Sequence, residues 1–287
     1  MKLTSKLSAV LLLSLLSQIS WGQFTVEKKR RSYVGLTAGI NYSFPTVTDH
    51  YSVLTSLTNT ENDEKQYGKF SENMGVQFGI HYSYNFTNTI SIVTGLGYRS
   101  EAFNYSTQYA WTDTMQSENF EREMHHFQKI SYFTMPIMGK WDMTEGKFKP
   151  YVQAGIFMNY LHQANKEIRY DNVIDGEETS NQTTSTGAVS ISDNIRKFNV
   201  GLMGGAGISY YFNSVTIGLE ANYRYGFLKV VDDENRYADN NGFALKYLDV
   251  LDQLTLSSMN VELTVSAPIG HSFISKFVRR KRYNSFH

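Results

Sequence analysis

The sequence predicts an all-β protein, an eight-stranded antiparallel up-and-down transmembrane β-barrel with short periplasmic turns and long extracellular loops. Three observations carry that expectation. Eight segments alternate apolar and polar residues with the period of two that belongs to strands. The connections between them alternate in length, which places short turns on one rim and long loops on the other. The polar parity consists mainly of Gly, Ser, Thr, Asn and Gln, whereas a soluble barrel facing bulk water would use Lys and Glu there. The apolar faces therefore point outward to lipid, and the small polar residues suit a narrow lumen.

The first strand, YVGLTAGINYS, sets Val34, Leu36, Ala38, Ile40 and Tyr42 against Gly35, Thr37, Gly39 and Asn41. The second, MGVQFGIHYSYNF, alternates without a break, with Val76, Phe78, Ile80, Tyr82 and Tyr84 on the apolar parity. In the third, ISIVTGLGYRSE, Ile90, Ile92, Leu96 and Tyr98 oppose Gly95, Gly97, Arg99 and Glu101. The fourth, ISYFTMPIMGKW, is less regular, and Pro136, which has no N–H, marks a bulge or an unpaired position. The fifth, KPYVQAGIFMNYL, sets Val152, Ala154, Ile156, Met158 and Tyr160 outward. The sixth, KFNVGLMGGAGISYYF, is glycine-rich on its polar parity, and the seventh, VTIGLEANYRYGF, carries Glu220, Asn222 and Arg224 there. The eighth, LSSMNVELTVSA, sets Met259, Val261, Leu263 and Val265 against Ser258, Asn260, Glu262 and Thr264. Each is close to the ten or so residues that a tilted membrane strand needs.

Short turns join strands two to three (NFTNT), four to five (DMTEGK) and six to seven (Asn213 and Ser214). The other connections are long and polar, and include TNTENDEKQYGK, DGEETSNQTTSTG and DDENRYADNNG. Tyr and Phe near the strand ends, part of an aromatic content of 14%, are expected to form interfacial girdles.

The 287 residues divide into a signal peptide (1–22), a basic N-terminal segment (23–32), the barrel (33–267) and a basic periplasmic tail (268–287). Lys2 and Lys6 precede the apolar run Leu7 to Leu16, and Ser20 and Gly22 form a small-residue cleavage site before Gln23. With no cysteine, lipid attachment, disulfides and thiolate metal sites are excluded. Basic and acidic residues balance at 27 each, which excludes the basic excess of a nucleic-acid binder. Mean hydropathy is −0.36, far from that of a helical membrane bundle.

The segment YFTMPIMGKWDMTEGKFKPYVQAGIFMNYL resembles the PorT-like outer-membrane β-barrel family of Bacteroidetes. Its carriers are Pro136, Lys140, Trp141, Pro150, Tyr151, Val152 and Gly155, supported by the glycine-rich Gly201 to Gly207 and by NYRYG, Asn222 to Gly226. The resemblance spans about Tyr33 to Ala267. It implies a non-enzymatic integral outer-membrane barrel, associated with protein secretion or gliding machinery or with surface interaction, and with a periplasmic or secretion-machinery partner. The chain departs from that pattern in its basic C-terminal extension and its long loops. The alternative is a narrow porin or small-ligand-binding barrel.

Two sets of residues are candidates for function. Arg99, Glu101, Lys140, Glu220, Arg224 and Glu262 fall on lumen parities, three of each sign, and are expected to form a charge network that plugs the barrel, because buried charges persist only when paired. Lys28, Lys29, Arg30, Arg31, Lys276, Arg279, Arg280, Lys281 and Arg282 flank the barrel and are expected to share the periplasmic rim, facing anionic headgroups or an acidic partner. His125 and His126, with Glu121 and Glu123 nearby, match no zinc spacing and read as the solvated base of a loop. His81 reads as a hydrogen-bonded lumen residue. No G-x-S-x-G motif occurs, and no catalytic residue, metal or cofactor is expected.

Overall fold

A computed structural model describes residues 31–51, 65–68, 74–113, 118–174, 177–178, 184–212, 215–237 and 249–269. Its main strands are β1 (Ser32–Asp49), β2 (Met74–Asn85), β3 (Ile90–Asp113), β4 (Glu118–Asp142), β5 (Phe148–Ile174), β6 (Phe198–Tyr211), β7 (Thr216–Gly226) and β8 (Gln253–Ile269). Each pairs antiparallel with the next in sequence, and β1 pairs with β8 from Ser32↔Ile269 to Asp49↔Gln253, so the ring closes. Closure removes both sheet edges, which is what allows a strand array to sit in lipid.

The alternation resolves as outward apolar and inward polar. Leu36 and Leu96 are 65% and 61% exposed on the outer face, while Arg99, Asn41 and Asn260 on the inner face are fully buried. Exposed Phe86, Trp141, Phe148 and Phe212 ring the short-turn end. Tyr98, Phe133, Tyr160 and Phe198 form contacts on the outer face nearer the long-loop end, among them Tyr98–Phe133 at 6.3 Å and Tyr160–Phe198 at 5.7 Å. These are the girdles of a membrane barrel.

Two expectations need correction. The connections after strands three and five are not simply polar loops: β3, β4 and β5 have 24, 25 and 27 residues and continue past the membrane as one sheet. Twelve residues of β3 beyond Glu101 correspond to roughly 40 Å of strand. The reason lies in the faces. Above the membrane water replaces lipid, so the sheet turns its apolar residues inward; Phe103 and Tyr105, on the lumen parity of β3, are 2% and 3% exposed. A rule that reads apolar as outward along the whole strand loses it there. On β5 a bulge after Leu161 shifts the register against Ser131/Tyr132, and the inward set continues as Ala164, Lys166 and Ile168.

His126 is the second correction. It is fully buried within β4, stacked on Tyr105 at 4.6 Å, and its Nε2 lies 2.9 Å from Thr107 Oγ1. Only His125 keeps the exposed position expected of both. Pro136 is the unpaired position that its missing N–H leads one to expect: it keeps register with Phe157 on β5, while toward β3 the ladder has no pair between Thr94↔Ile137 and Gly97↔Thr134.

The inner faces of the extension and the segments 191–195, 230–231 and 251–256 bury a cluster of Phe103, Tyr105, Ile130, Tyr132, Leu161, Ala164, Ile191, Ile195, Val230, Val231, Leu251, Leu254 and Leu256. It closes the long-loop end. At the other end Tyr33 and Tyr211 meet edge to face at 6.1 Å, and the Lys149 ammonium lies 4.7 Å from the Tyr211 ring.

Candidate functional site

Between these closures lies the polar lumen. Arg99 projects from β3, where its Nε reaches Glu101 Oε1 at 2.7 Å, its Nη2 reaches Ser258 Oγ at 2.6 Å, and its Nη1 donates to Gln77 Oε1. Ser258 Oγ in turn donates to Glu101 Oε1 at 3.3 Å. Across the barrel, Arg224 of β7 donates through Nη1 to Thr134 Oγ1 at 3.1 Å and lies 5.0 Å over the Phe157 ring. Glu220 accepts from the Tyr151 hydroxyl at 2.6 Å and from Gln153 Nε2 at 3.1 Å. It sits directly opposite Glu262 in the β7–β8 ladder, and Glu262 accepts from Asn260 Nδ2.

Lys140 stands lower. Its ammonium is 3.5 Å from the Tyr151 ring centre, 3.2 Å from Ser209 Oγ and 3.9 Å from Asp142 Oδ1. The six sequence candidates thus occupy one lumen but divide. Arg99 and Glu101 pair directly, Arg224 bonds to a threonine, and Tyr151 links Lys140 to Glu220. The uncharged connectors Gln77, Thr134, Tyr151, Gln153 and Ser258 were missed because a search for charge passes over them, although all share the lumen parity. Gly207 admits the Tyr151 ring, since a Cβ there would lie 2.6 Å from its Cζ. A cavity of ≈ 90 Å³ remains among Gln77, His81, Lys140, Glu220, Arg224 and Glu262.

A second cluster, absent from the sequence reading, sits above the membrane. Lys65 Nζ lies 3.0 Å from Asp249 Oδ1 and 3.0 Å from Asp252 Oδ1. Lys166 pairs with Asp249 Oδ2, which also accepts from Tyr105, and the Tyr67 hydroxyl donates to Asp252 Oδ2 at 2.8 Å. Burial pushes Lys166 down to about 8 despite Asp249 beside it. Burial alone would raise the Asp249 carboxyl, but Lys166 and Lys65 hold it well below the usual carboxylate range. Desolvation, reinforced by the Lys166 ammonium, pushes His126 down to about 3. Lys65 and Asp249 come from connections that carry no periodic signal, so only folding brings them to Lys166. The cluster ties both connections to the extension.

Of the nine basic candidates at the rim, Arg31 alone is described; its carbonyl accepts from the Asn85 N–H at 2.7 Å, beside the β2–β3 turn. Lys28, Lys29, Arg30, Lys276, Arg279, Arg280, Lys281 and Arg282 lie outside the described residues, as do segment 1–22 and the tail beyond Ile269. The chain does enter β1 and leave β8 at the short-turn rim, since Ser32 pairs with both Ile269 and Tyr84.

Residues 17–232 match the family model described as outer membrane protein beta-barrel domain. No curated protein matches the sequence. Among solved structures, the N-terminal β-barrel domain of Pseudomonas aeruginosa OprF is similar at 10% identity and a TM-score of 0.31, over 82% of this chain and 98% of that one. Neisserial surface protein A is similar at 14% identity and a TM-score of 0.30, over 83% and 97%. Ail, the attachment invasion locus protein of Yersinia pestis, is similar at 10% identity and a TM-score of 0.27, over 82% and 99%. At such values the strands themselves, rather than these likenesses, establish the architecture.

Proposed function

The chain belongs to the outer membrane protein beta-barrel domain family, and from that premise we propose that this outer-membrane protein works as a closed, non-enzymatic barrel that carries an interaction module. The observation behind this reading is the combination of a narrow lumen crossed by bonded side chains and covered at its long-loop end by an apolar cluster with a three-stranded sheet raised well above the membrane. Eight strands leave an interior that side chains fill. Arg99, Glu101, Lys140, Glu220, Arg224 and Glu262 then act as plug rather than conduit, and the working surfaces are the raised sheet and the periplasmic rim.

An N-terminal signal peptide, residues 1–22, delivers the chain across the inner membrane. The basic segments around Lys28 to Arg31 and Lys276 to Arg282 offer an acidic periplasmic partner a rim of nine cations. A role beside secretion or gliding machinery rests on the PorT-like residues around Pro136 to Gly155. The competing reading, a narrow porin, draws on the lumen cavity.

Two measurements separate these readings. Reconstituted in a planar bilayer, the closed barrel shows no discrete single-channel openings, whereas steady openings establish the porin. In affinity recovery from gently solubilised envelopes, a tagged full-length copy brings down secretion or gliding components and a copy cut after Gly270 does not. Recovery of a partnerless barrel from both would rule out the docking role.

A further inference from the structure

We propose that the wall between β3 and β4 is a lateral portal, through which a membrane-dissolved apolar chain ending in one neutral hydrogen-bond acceptor places that end against Arg224. The ladder gap is the first observation. No pair joins Gly95 and Leu96 to Met135 and Pro136, and Pro136 has no N–H to give β3; the Thr94 hydroxyl donates to the Pro136 carbonyl at 2.9 Å instead. The lumen face beside the gap is bare of side chains. Gly79 and Gly97 face each other across β2 and β3, so close that a Cβ on Gly79 would lie 2.7 Å from Gly97 Cα. Leu96, Gly97, Tyr98 and Thr134 line both the lumen cavity and an apolar hollow on the outer face.

What lies behind the gap points to a ligand. Arg224 is 4% exposed and lines the cavity; its Nη1 reaches Thr134 at the gap's edge, while its Nε has no hydrogen-bond partner. An unmet guanidinium N–H in such a site is a costly donor awaiting an oxygen. His81 Nδ1, also lining the cavity, is likewise without a partner. The apolar cluster covers the long-loop end and Tyr33 and Tyr211 narrow the other, whereas the gap lies beside Thr134 and opens directly toward the lipid face.

Three observations define the ligand. The cavity is lined by Gln77, His81, Lys140, Glu220 and Glu262, so it takes a polar end group, while the apolar chain stays outside with Leu96 and Phe78. The lumen already balances three cationic against three anionic candidates, so an ionic head would leave a net charge buried. Gly95 and Leu96 lie about 13–15 Å above the short-turn rim, near the middle of an apolar band about 25 Å tall, a depth reached by molecules dissolved in hydrocarbon rather than by charged headgroups. A ketone, quinone-type carbonyl or single hydroxyl on a long apolar skeleton meets all three.

The test uses the full-length barrel in phosphatidylcholine nanodiscs with a long-chain methyl ketone, nonadecan-2-one, labelled with carbon-13 at its carbonyl. The expected result is a second carbonyl infrared band, shifted to lower frequency by the Arg224 N–H and saturating at one equivalent per barrel. Arg224→Met weakens that binding by about tenfold or more, as loss of a hydrogen bond from a charged group predicts. Pro136→Val, which restores an N–H to the ladder, also removes the band while the barrel keeps its folded gel mobility. A single lipid-like band in the wild type overturns the site. A shifted band that persists in Pro136→Val overturns the portal, and one that persists in Arg224→Met overturns the anchor. None of these results bears on conductance or partner recovery.

Discussion

Asp249 shows how one side chain can hold two chain segments in place. Its carboxylate faces Lys65 and Lys166, all three nearly inaccessible to water, and removing one partner of such a group strands the rest. Asp249→Asn is expected to destabilise the extracellular cap by about 3 kcal/mol or more, read as faster hydrogen exchange in residues 249–256 with little change in β6 and β7. His126 adds a pH dependence. Its folded pKa, about 3, lies below the ordinary 6.5 because burial penalises the charged form, so the unfolded state binds the extra proton between those values and stability falls as pH drops through that window. Cap protection should decline by up to about tenfold per pH unit between pH 6.5 and 3. His126→Phe, which keeps the stack on Tyr105 without titrating, should flatten that profile. Asp249, whose pKa is also lowered, begins to lose its contribution only below the ordinary carboxylate range, at the acid end of the same window.

At the scale of the element, β3 carries the main lesson about legibility. From Ile90 to Glu101 its alternation could be read directly, because lipid and lumen impose opposite polarities on the two parities. Beyond Glu101 the same strand inverts, burying Phe103 and Tyr105, and the inversion reads as a loop to any rule with a fixed sign. Substitutions should report the boundary. Leu96→Arg, on the lipid face near mid-membrane, should cost about 2–4 kcal/mol, whereas Gln108→Arg, exposed in the extension, should stay within about 0.5 kcal/mol. Denaturant titration of folding into lipid vesicles measures both. Pro136 teaches the converse: its missing N–H was visible in the sequence, but which neighbouring strand would lose its pairing was not.

For the whole molecule, closure is the property on which function turns. The chain ends meet at the short-turn rim because an even number of strands returns the chain to its starting side. In the proposed function that rim faces the periplasm, and the proposal predicts partner recovery there and silence in a planar bilayer. The strand count, the direction of the apolar faces, the turn-side rim and the lumen parity of the six charged candidates were all set by the sequence, since each follows from local periodicity and connection length. The tertiary structure alone decided that Tyr151 links Lys140 to Glu220, that Lys65, Lys166, Asp249 and Asp252 converge, and that the lumen is capped from above. Those contacts join residues from about 60 to nearly 190 positions apart, and a distance of that kind is set by the closing of the ring, which no local pattern encodes.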